Sequence, residues 1–424
     1  MAFQTCYANE RPGATRSIMV SATVSRLIFF GGRYLSLLFV ASLLGQLAAG
    51  FLLAVAVVEF FRIVFDYGLE NGVLARFHQR AAEDAKRFAA AKGRFRLLAI
   101  LIGQLVTSAA IAAFCLKFDM PMTIPLVASL QFACLMGFGY LQAHLQTDYA
   151  GGMAALVRPL ILAALAQSVL LLLVALGMAP LWIGAIFFEV AALLACGFVV
   201  RRFRRETAPL SGMKKGVPSG SGFSGIGAVF RRIAPLGNVS LLSVAYGRVD
   251  ALVVSWVAGG ALLTQYLLFQ RLASAPLMFF STVASVNIAR LSGERLGHEK
   301  NDRSVSRYRK RAYLAAAASG VGFAGIGLWI APFFQLKDVN LTLLGLQGFV
   351  LTLQVANGFH AALLIAFHES AHLWEVARNN TVLASVLMPL GAWQLGAVGI
   401  ALAICMVEFF CAAQHARLFE LRTC

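Results

Sequence analysis

The sequence predicts an all-α polytopic membrane protein of about twelve transmembrane helices, arranged as two six-helix lobes around a central cavity. Three observations carry that prediction. Hydrophobic residues make up 59% of the 424 residues and charged ones 13%, against about a quarter charged in a soluble domain; mean hydropathy is +0.77. The chain also divides into apolar segments long enough to cross a bilayer, which takes about 20 residues of helix. Finally, Lys and Arg crowd into alternate connections between those segments.

The apolar segments run over 27–46, 49–69, 97–116, 122–141, 159–178, 180–200, 236–258, 262–284, 313–333, 341–365, 376–393 and 396–415. Helix is the default for each, because hydrocarbon offers no hydrogen-bond partner to an open backbone. Connections after the first, fifth, seventh and eleventh segments are tight and carry no Lys or Arg, and those after the third and ninth hold only Lys117 and Lys337. Long basic connections follow the second (Arg76, Arg80, Lys86, Arg87), the sixth (Arg201, Arg202, Lys214, Lys215) and the eighth (Arg295, Lys300, Arg303, Arg307). By the positive-inside rule both termini are cytoplasmic. The same distribution accounts for the formal charge of +17 without a nucleic-acid partner, and it gives the basic connections a second use against anionic membrane lipids. The seven cysteines, at 6, 115, 134, 196, 405, 411 and 424, have no metal-ligand spacing and imply no disulfide framework. The stretch before the first segment lacks a signal-peptide core and cleavage site, so the first span is expected to act as an uncleaved signal.

Near the midpoint, 206–227 reads ETAPLSGMKKGVPSGSGFSGIG, a Gly/Ser/Pro-rich linker. It divides the chain into an N-terminal six-helix lobe (1–205), a cytoplasmic linker (206–230) and a C-terminal six-helix lobe (231–424). Sliding the halves by about 215 residues places Gly32-Arg33 over Gly247-Arg248 and Phe51-Leu52-Leu53 over Tyr266-Leu267-Leu268. With six spans per half, such a repeat is parallel, about an axis along the membrane normal, and transporters of this plan hold substrate between their lobes.

Ionisable groups inside spans cost about 3 kcal/mol each on insertion scales, so each asks for a partner or a function. They are Arg33, Glu59, Arg62, Glu189, Arg248, Asp250, Arg271, His360 and Glu408, with Asp66 and Glu70 near the end of the second span. Glu59 and Arg62 are three apart and can pair on one helix face, which Asp66 extends. Arg248 and Asp250 are two apart, about 200° around a helix, so each must find another helix, water or a ligand. For Arg33, Arg248 and Arg271 an inter-helix pair and an anionic-ligand site are both open. Asp250 reads as structural or gating, Glu189 and Glu408 as polar ties, and His360 as a hydrogen-bonded core histidine. His368, Glu369, His372 and Glu375 are spaced like metal ligands, but a solvated loop accounts for them. No metal or other cofactor is expected.

No GxxxxGK[ST] loop occurs, no DxD of a metal-dependent sugar transferase lies in a loop, and no long extracytoplasmic loop could house a polymerase or ligase site. LGQLAAGFLLAVAVVEFFRIVFDYGLENGVLAR, 44–76, resembles the start of the polysaccharide biosynthesis, or oligosaccharide flippase, family of the multidrug/oligosaccharidyl-lipid/polysaccharide exporter superfamily. Leu44-Gly45 and Gly50 keep the spacing of that family's first turn, although its centre here is Gln46-Leu47-Ala48-Ala49, and Asp66-Tyr67-Gly68-Leu69 keeps the ending of its second span. YGRVDALVV in the seventh segment and GAWQLGAVGIALA, 391–403, are similar to two further stretches of the family.

The resemblance implies a flippase of the bacterial inner (cytoplasmic) membrane, not an enzyme. It would move an undecaprenyl-pyrophosphate-linked oligosaccharide by alternating access for surface polysaccharide biosynthesis, among other polysaccharide-assembly proteins. Arg33, Arg248 and Arg271 would hold the pyrophosphate through charge-assisted hydrogen bonds, with Asp250, Glu59, Arg62 and Asp66 in gating or coupling. The alternatives are a cation-coupled multidrug antiporter of the same superfamily, which needs an acidic site in a lobe, and a membrane enzyme of glycan assembly.

Overall fold

The computed structural model describes residues 12–44, 47–70, 82–117, 122–148, 152–206, 224–247, 249–258, 260–296, 302–334, 338–366 and 370–423. Its helices are α1 (Pro12–Leu44), α2 (Ala48–Asp66), α3 (Ala82–Lys117), α4 (Thr123–Asp148), α5 (Gly152–Ala175), α6 (Leu181–Glu206), α7 (Ser224–Gly247), α8 (Asp250–Val257), α9 (Gly260–Leu296), α10 (Asp302–Ile330), α11 (Leu341–Ala366) and α12 (Ser370–Thr423), with a 3-10 turn at Ala331–Phe334. Among the described residues nine helical stretches are long and apolar enough to cross a membrane. One of them, Ala371–Arg417, is 47 residues long and folds back on itself.

The fold-back occurs at Gly396, whose φ of 58° and ψ of −133° leave the helical region inside α12. A left-handed φ of this kind favours glycine. Gly391 and Gly399 then meet backbone to backbone, where a Cβ on either would overlap the other's carbonyl. Farther along the same two limbs, Asn379 donates to Gln414 at 3.1 Å. The eleventh and twelfth segments are therefore an antiparallel pair, as the sequence placed them.

The seventh segment is not one helix. α7 ends at Gly247 and α8 begins at Asp250, so the continuous span expected over 236–258 is corrected to two helices meeting near its middle. The chain there must satisfy the groups exposed by the break. Asp250 lies in the first turn of α8, where the helix dipole favours a negative charge.

Two bundles follow from the packing. In the first half, α1 packs on α5 and α6, and α4 packs on α2, α3 and α6. In the second, α7 packs on α12, and α11 packs on α9, α10 and α12. The neighbour relations of one half thus recur in the other, in keeping with the weak sequence repeat. The halves meet through α1, α2 and α3 on one side and α7, α8 and α9 on the other. Each crossing reverses the chain, so the ends of α2, α6 and α9 share one face, here called the basic face after the Lys and Arg that follow them in sequence.

Candidate functional site

Buried charge gathers in three places. At the lobe interface, Arg33 of α1 donates from Nη1 to Glu59 Oε1 of α2 at 2.9 Å, and its Nε lies 3.3 Å from Glu189 Oε1 of α6, an ion pair without hydrogen-bond geometry. Arg271 of α9, in the other lobe, donates from Nη1 to Glu59 Oε2. Glu59 is thus held by a guanidinium from each half. Arg33 Nη2 and Arg271 Nε have no hydrogen-bond partner among the described residues. All four side chains are buried. Gly32 lets α1 approach α6 here, since a Cβ on it would meet the Phe188 ring at 2.7 Å.

The second place is at the basic face of the first half. Arg96 of α3 donates to Asp66 at 2.5 Å, to Glu70 at 2.7 Å and to the Met136 carbonyl at 2.9 Å, while Arg62 lies 3.8 Å from Glu70. α2 stops beside this network at Tyr67, a non-glycine residue at φ 45°. The tyrosine ring stacks on Phe230 of α7 at 4.6 Å and its hydroxyl donates to Asn238 at 2.6 Å. Gly237 leaves room for that ring. This contact joins the two halves at the basic face.

The third place is hollow. A cavity of about 500 Å³ lies in the second half, with Ile63 of α2 on its wall. Asp250 and Glu408 line it, together with Gln270, Gln347, Gln354 and Asn357. Asp250 accepts hydrogen bonds from the Tyr266 hydroxyl at 2.6 Å and from Gln270 Nε2 at 2.8 and 2.9 Å. Glu408 accepts from Gln354 at 3.1 Å and from Asn357 at 2.7 Å. Both carboxylates are 4% exposed. No Lys or Arg lines the cavity among the described residues.

These contacts place the residues singled out in the sequence. Arg33, Arg271 and Glu59 come together at the lobe interface, outside the cavity lining. Arg248 lies outside the described residues, as do His368 and Glu369. Glu59 bonds to arginines 26 and 212 residues away, whereas the helix-face argument had offered it Arg62. Asp66 and Arg62 belong to the network around Arg96 and Glu70, and Asp250 is on the cavity wall. Sequence reasoning missed the carboxamides of that wall and His415, which also lines it. The available signals were Gln354 and Asn357 three apart on α11, and Glu408 and His415 seven apart on α12.

The fold so described, two halves packed alike, is similar to those of solved membrane transporters. A MOP superfamily transporter from Pyrococcus furiosus is 14% identical with a TM-score of 0.65, over 96% of each chain. The lipid II flippase MurJ, in an inward closed conformation, is 14% identical with a TM-score of 0.64, over 96% of this chain and 87% of that one. An outward-facing multidrug resistance MATE family transporter is 14% identical with a TM-score of 0.64, over 97% of each chain. No family model and no curated protein sequence matches the chain.

Proposed function

We propose that the chain is an alternating-access membrane transporter whose second-half cavity binds a cation, a lipophilic organic cation being the cargo class that fits it. The polarity of the cavity carries this reading. Asp250 and Glu408 sit on a wall of carboxamides with no Lys or Arg among the described lining residues. Leu277, Phe280, Phe359 and Ile404 add apolar surface to the wall, and the volume falls within the ~300–1,000 Å³ usual for small-molecule sites. Glu408 is held here by the neutral Gln354 and Asn357, and a carboxylate taken out of water is costly without a cation or a proton. An organic cation meets that need while removing apolar surface from water, at about 25 cal/mol per Å². The structural likeness to MATE and other MOP superfamily transporters supports movement of one half against the other. Glu59, through Arg271, then acts as a latch between the halves, and Arg62 and Asp66 steady the end of α2.

The test uses the purified full-length chain in proteoliposomes with radiolabelled tetraphenylphosphonium as probe. Saturable counterflow is expected, reduced at least about tenfold by Asp250→Asn or Glu408→Gln, a loss of roughly 1.4 kcal/mol or more. A wild-type protein that neither binds nor exchanges the probe overturns the reading.

A second reading is the inner-membrane flippase of an undecaprenyl-pyrophosphate-linked oligosaccharide, with the phosphates on Arg33, Arg248 and Arg271. One observation favours it: the Arg271–Glu59 pair spans the halves, so separating them releases a guanidinium. Weighing against it, Arg33 and Arg271 balance Glu59 and Glu189 in the present arrangement, leaving no net positive charge in that cluster. Transfer of a labelled lipid-linked sugar across vesicles, abolished by Arg33→Ala, Arg248→Ala and Arg271→Ala, would favour this second reading.

A further inference from the structure

We propose that the ion exchanged for the organic cation is a proton, and that His415 and His360 carry it between the cavity and the basic face. This rests on the cavity being a cation site. Glu408, Cys411 and His415 all line the cavity from the second limb of α12. Positions i, i+3 and i+7 share one helix face, which sets the imidazole about 10 Å beyond the carboxylate, toward the basic face. His415 is 2% exposed, and its Nδ1 has no hydrogen-bond partner among the described residues. A buried polar atom is rarely left unbonded. The cavity, at about 30 Å³ per water molecule, has room for the water that would bond it.

Beside it stands His360 of α11, with ring centroids 5.6 Å apart and the planes at 29°. His360 Nε2 lies 3.2 Å from the hydroxyl of Tyr313 on α10. Tyr313 is 45% exposed, and its position falls near the basic-face end of the span Tyr308–Phe334. Titratable groups therefore succeed one another from Glu408 through His415 and His360 to Tyr313. Arg309 of α10 acts on His360 electrostatically, and Cys411 of α12 and the Asn357 carboxamide of α11 share the cavity wall with His415. To that wall α7 adds the hydroxyls of Ser240 and Ser243, α9 adds Gln270 and Ser274, and the first limb of α12 adds the apolar Leu373, Val376 and Ala377.

The step balances without another reactant. As the cation docks, Glu408 gives its proton to cavity water, which protonates His415 at Nδ1. The imidazolium releases its Nε2 proton to water shared with His360. His360 repeats the exchange, and the proton leaves past Tyr313. Each histidine ends as neutral as it began, in the other tautomer, and the return stroke restores it. One proton leaves for each cation that takes its place at Glu408.

The experiment drives tetraphenylphosphonium through proteoliposomes of the full chain with an imposed pH gradient, with a pH-sensitive dye trapped inside. His415→Asn and His360→Asn are each expected to slow gradient-driven uptake and the accompanying proton flux at least about tenfold, the scale on which a positioned proton-transfer group acts. For His360→Asn, whose ring is not part of the cavity wall, counterflow without a gradient should stay within about threefold of wild type, which a purely structural role would not predict. If His415→Asn does not purify as monodisperse protein, His415→Gln is read by the same trace. The proposal falls if both variants keep the driven uptake, or if a sodium gradient rather than a pH gradient drives the wild type. Wild-type counterflow without any proton flux overturns the proton path alone. The absence of wild-type counterflow removes the cation site and this path with it.

Discussion

The interface cluster and the second-half cavity hold similar acids at similar depth, yet they are stabilised in opposite ways. Glu59 on α2 and Glu408 on the second limb of α12 each lie about 16 Å along their helix from the face opposite the basic one, at about 1.5 Å per residue. Glu59 is bonded to Arg33 and Arg271. Glu408 is bonded to the neutral Gln354 and Asn357 and borders open volume. A buried ion pair holds helices in one arrangement and is strongly destabilised when one partner is lost. A carboxylate with neutral donors beside a cavity keeps the capacity to take a cation. Burial of charge in a span is therefore not by itself the mark of a site; the neighbours decide.

The comparison can be broken most sharply at its first member. Glu59→Ala leaves the buried Arg271 guanidinium without its carboxylate and Arg33 with Glu189 alone, and is expected to cost about 3–5 kcal/mol, seen as a large fall in the thermal unfolding midpoint in detergent. Replacing a whole pair should be gentler. Arg33→Met together with Glu189→Met is expected to recover about 1–3 kcal/mol relative to the sum of the single substitutions, the coupling usual for residues in contact; equal and additive losses would contradict the cluster. At the cavity, Asp250→Asn should weaken tetraphenylphosphonium binding by titration about tenfold, or about 1.4 kcal/mol. Tyr67→Phe removes one hydrogen bond between the halves and should lower stability by about 1 kcal/mol. The smallest stability effect is expected for Glu408→Gln, within about 0.5 kcal/mol, because Asn357 can still donate to the amide oxygen and Gln354, its carboxamide turned over, can accept from the new amide N–H. Counterflow should nevertheless be lost. Were Glu408→Gln to unfold the protein as Glu59→Ala does, the contrast would disappear.

Much of the fold could be read along the chain because one solvent, hydrocarbon, imposes one length and one polarity on every crossing helix. The turn in the eleventh and twelfth spans is an example, since Gly391, Gly396 and Gly399 mark it. The break in the seventh span was hidden, because residues 236–258 are apolar enough to pass for one helix. The partner of Glu59 was hidden for another reason. Helical spacing can nominate only residues on the same turn or the next, whereas the arginines that hold it come from two other helices.

By itself, the sequence determined that this chain crosses a membrane many times, in two matching halves, with a few expensive charges kept inside the spans. Only the tertiary structure decided which of those charges neutralise each other and which border a hollow. That choice depends on distances between helices remote in sequence, and Coulomb and hydrogen-bond energies change from decisive to negligible over a few ångströms.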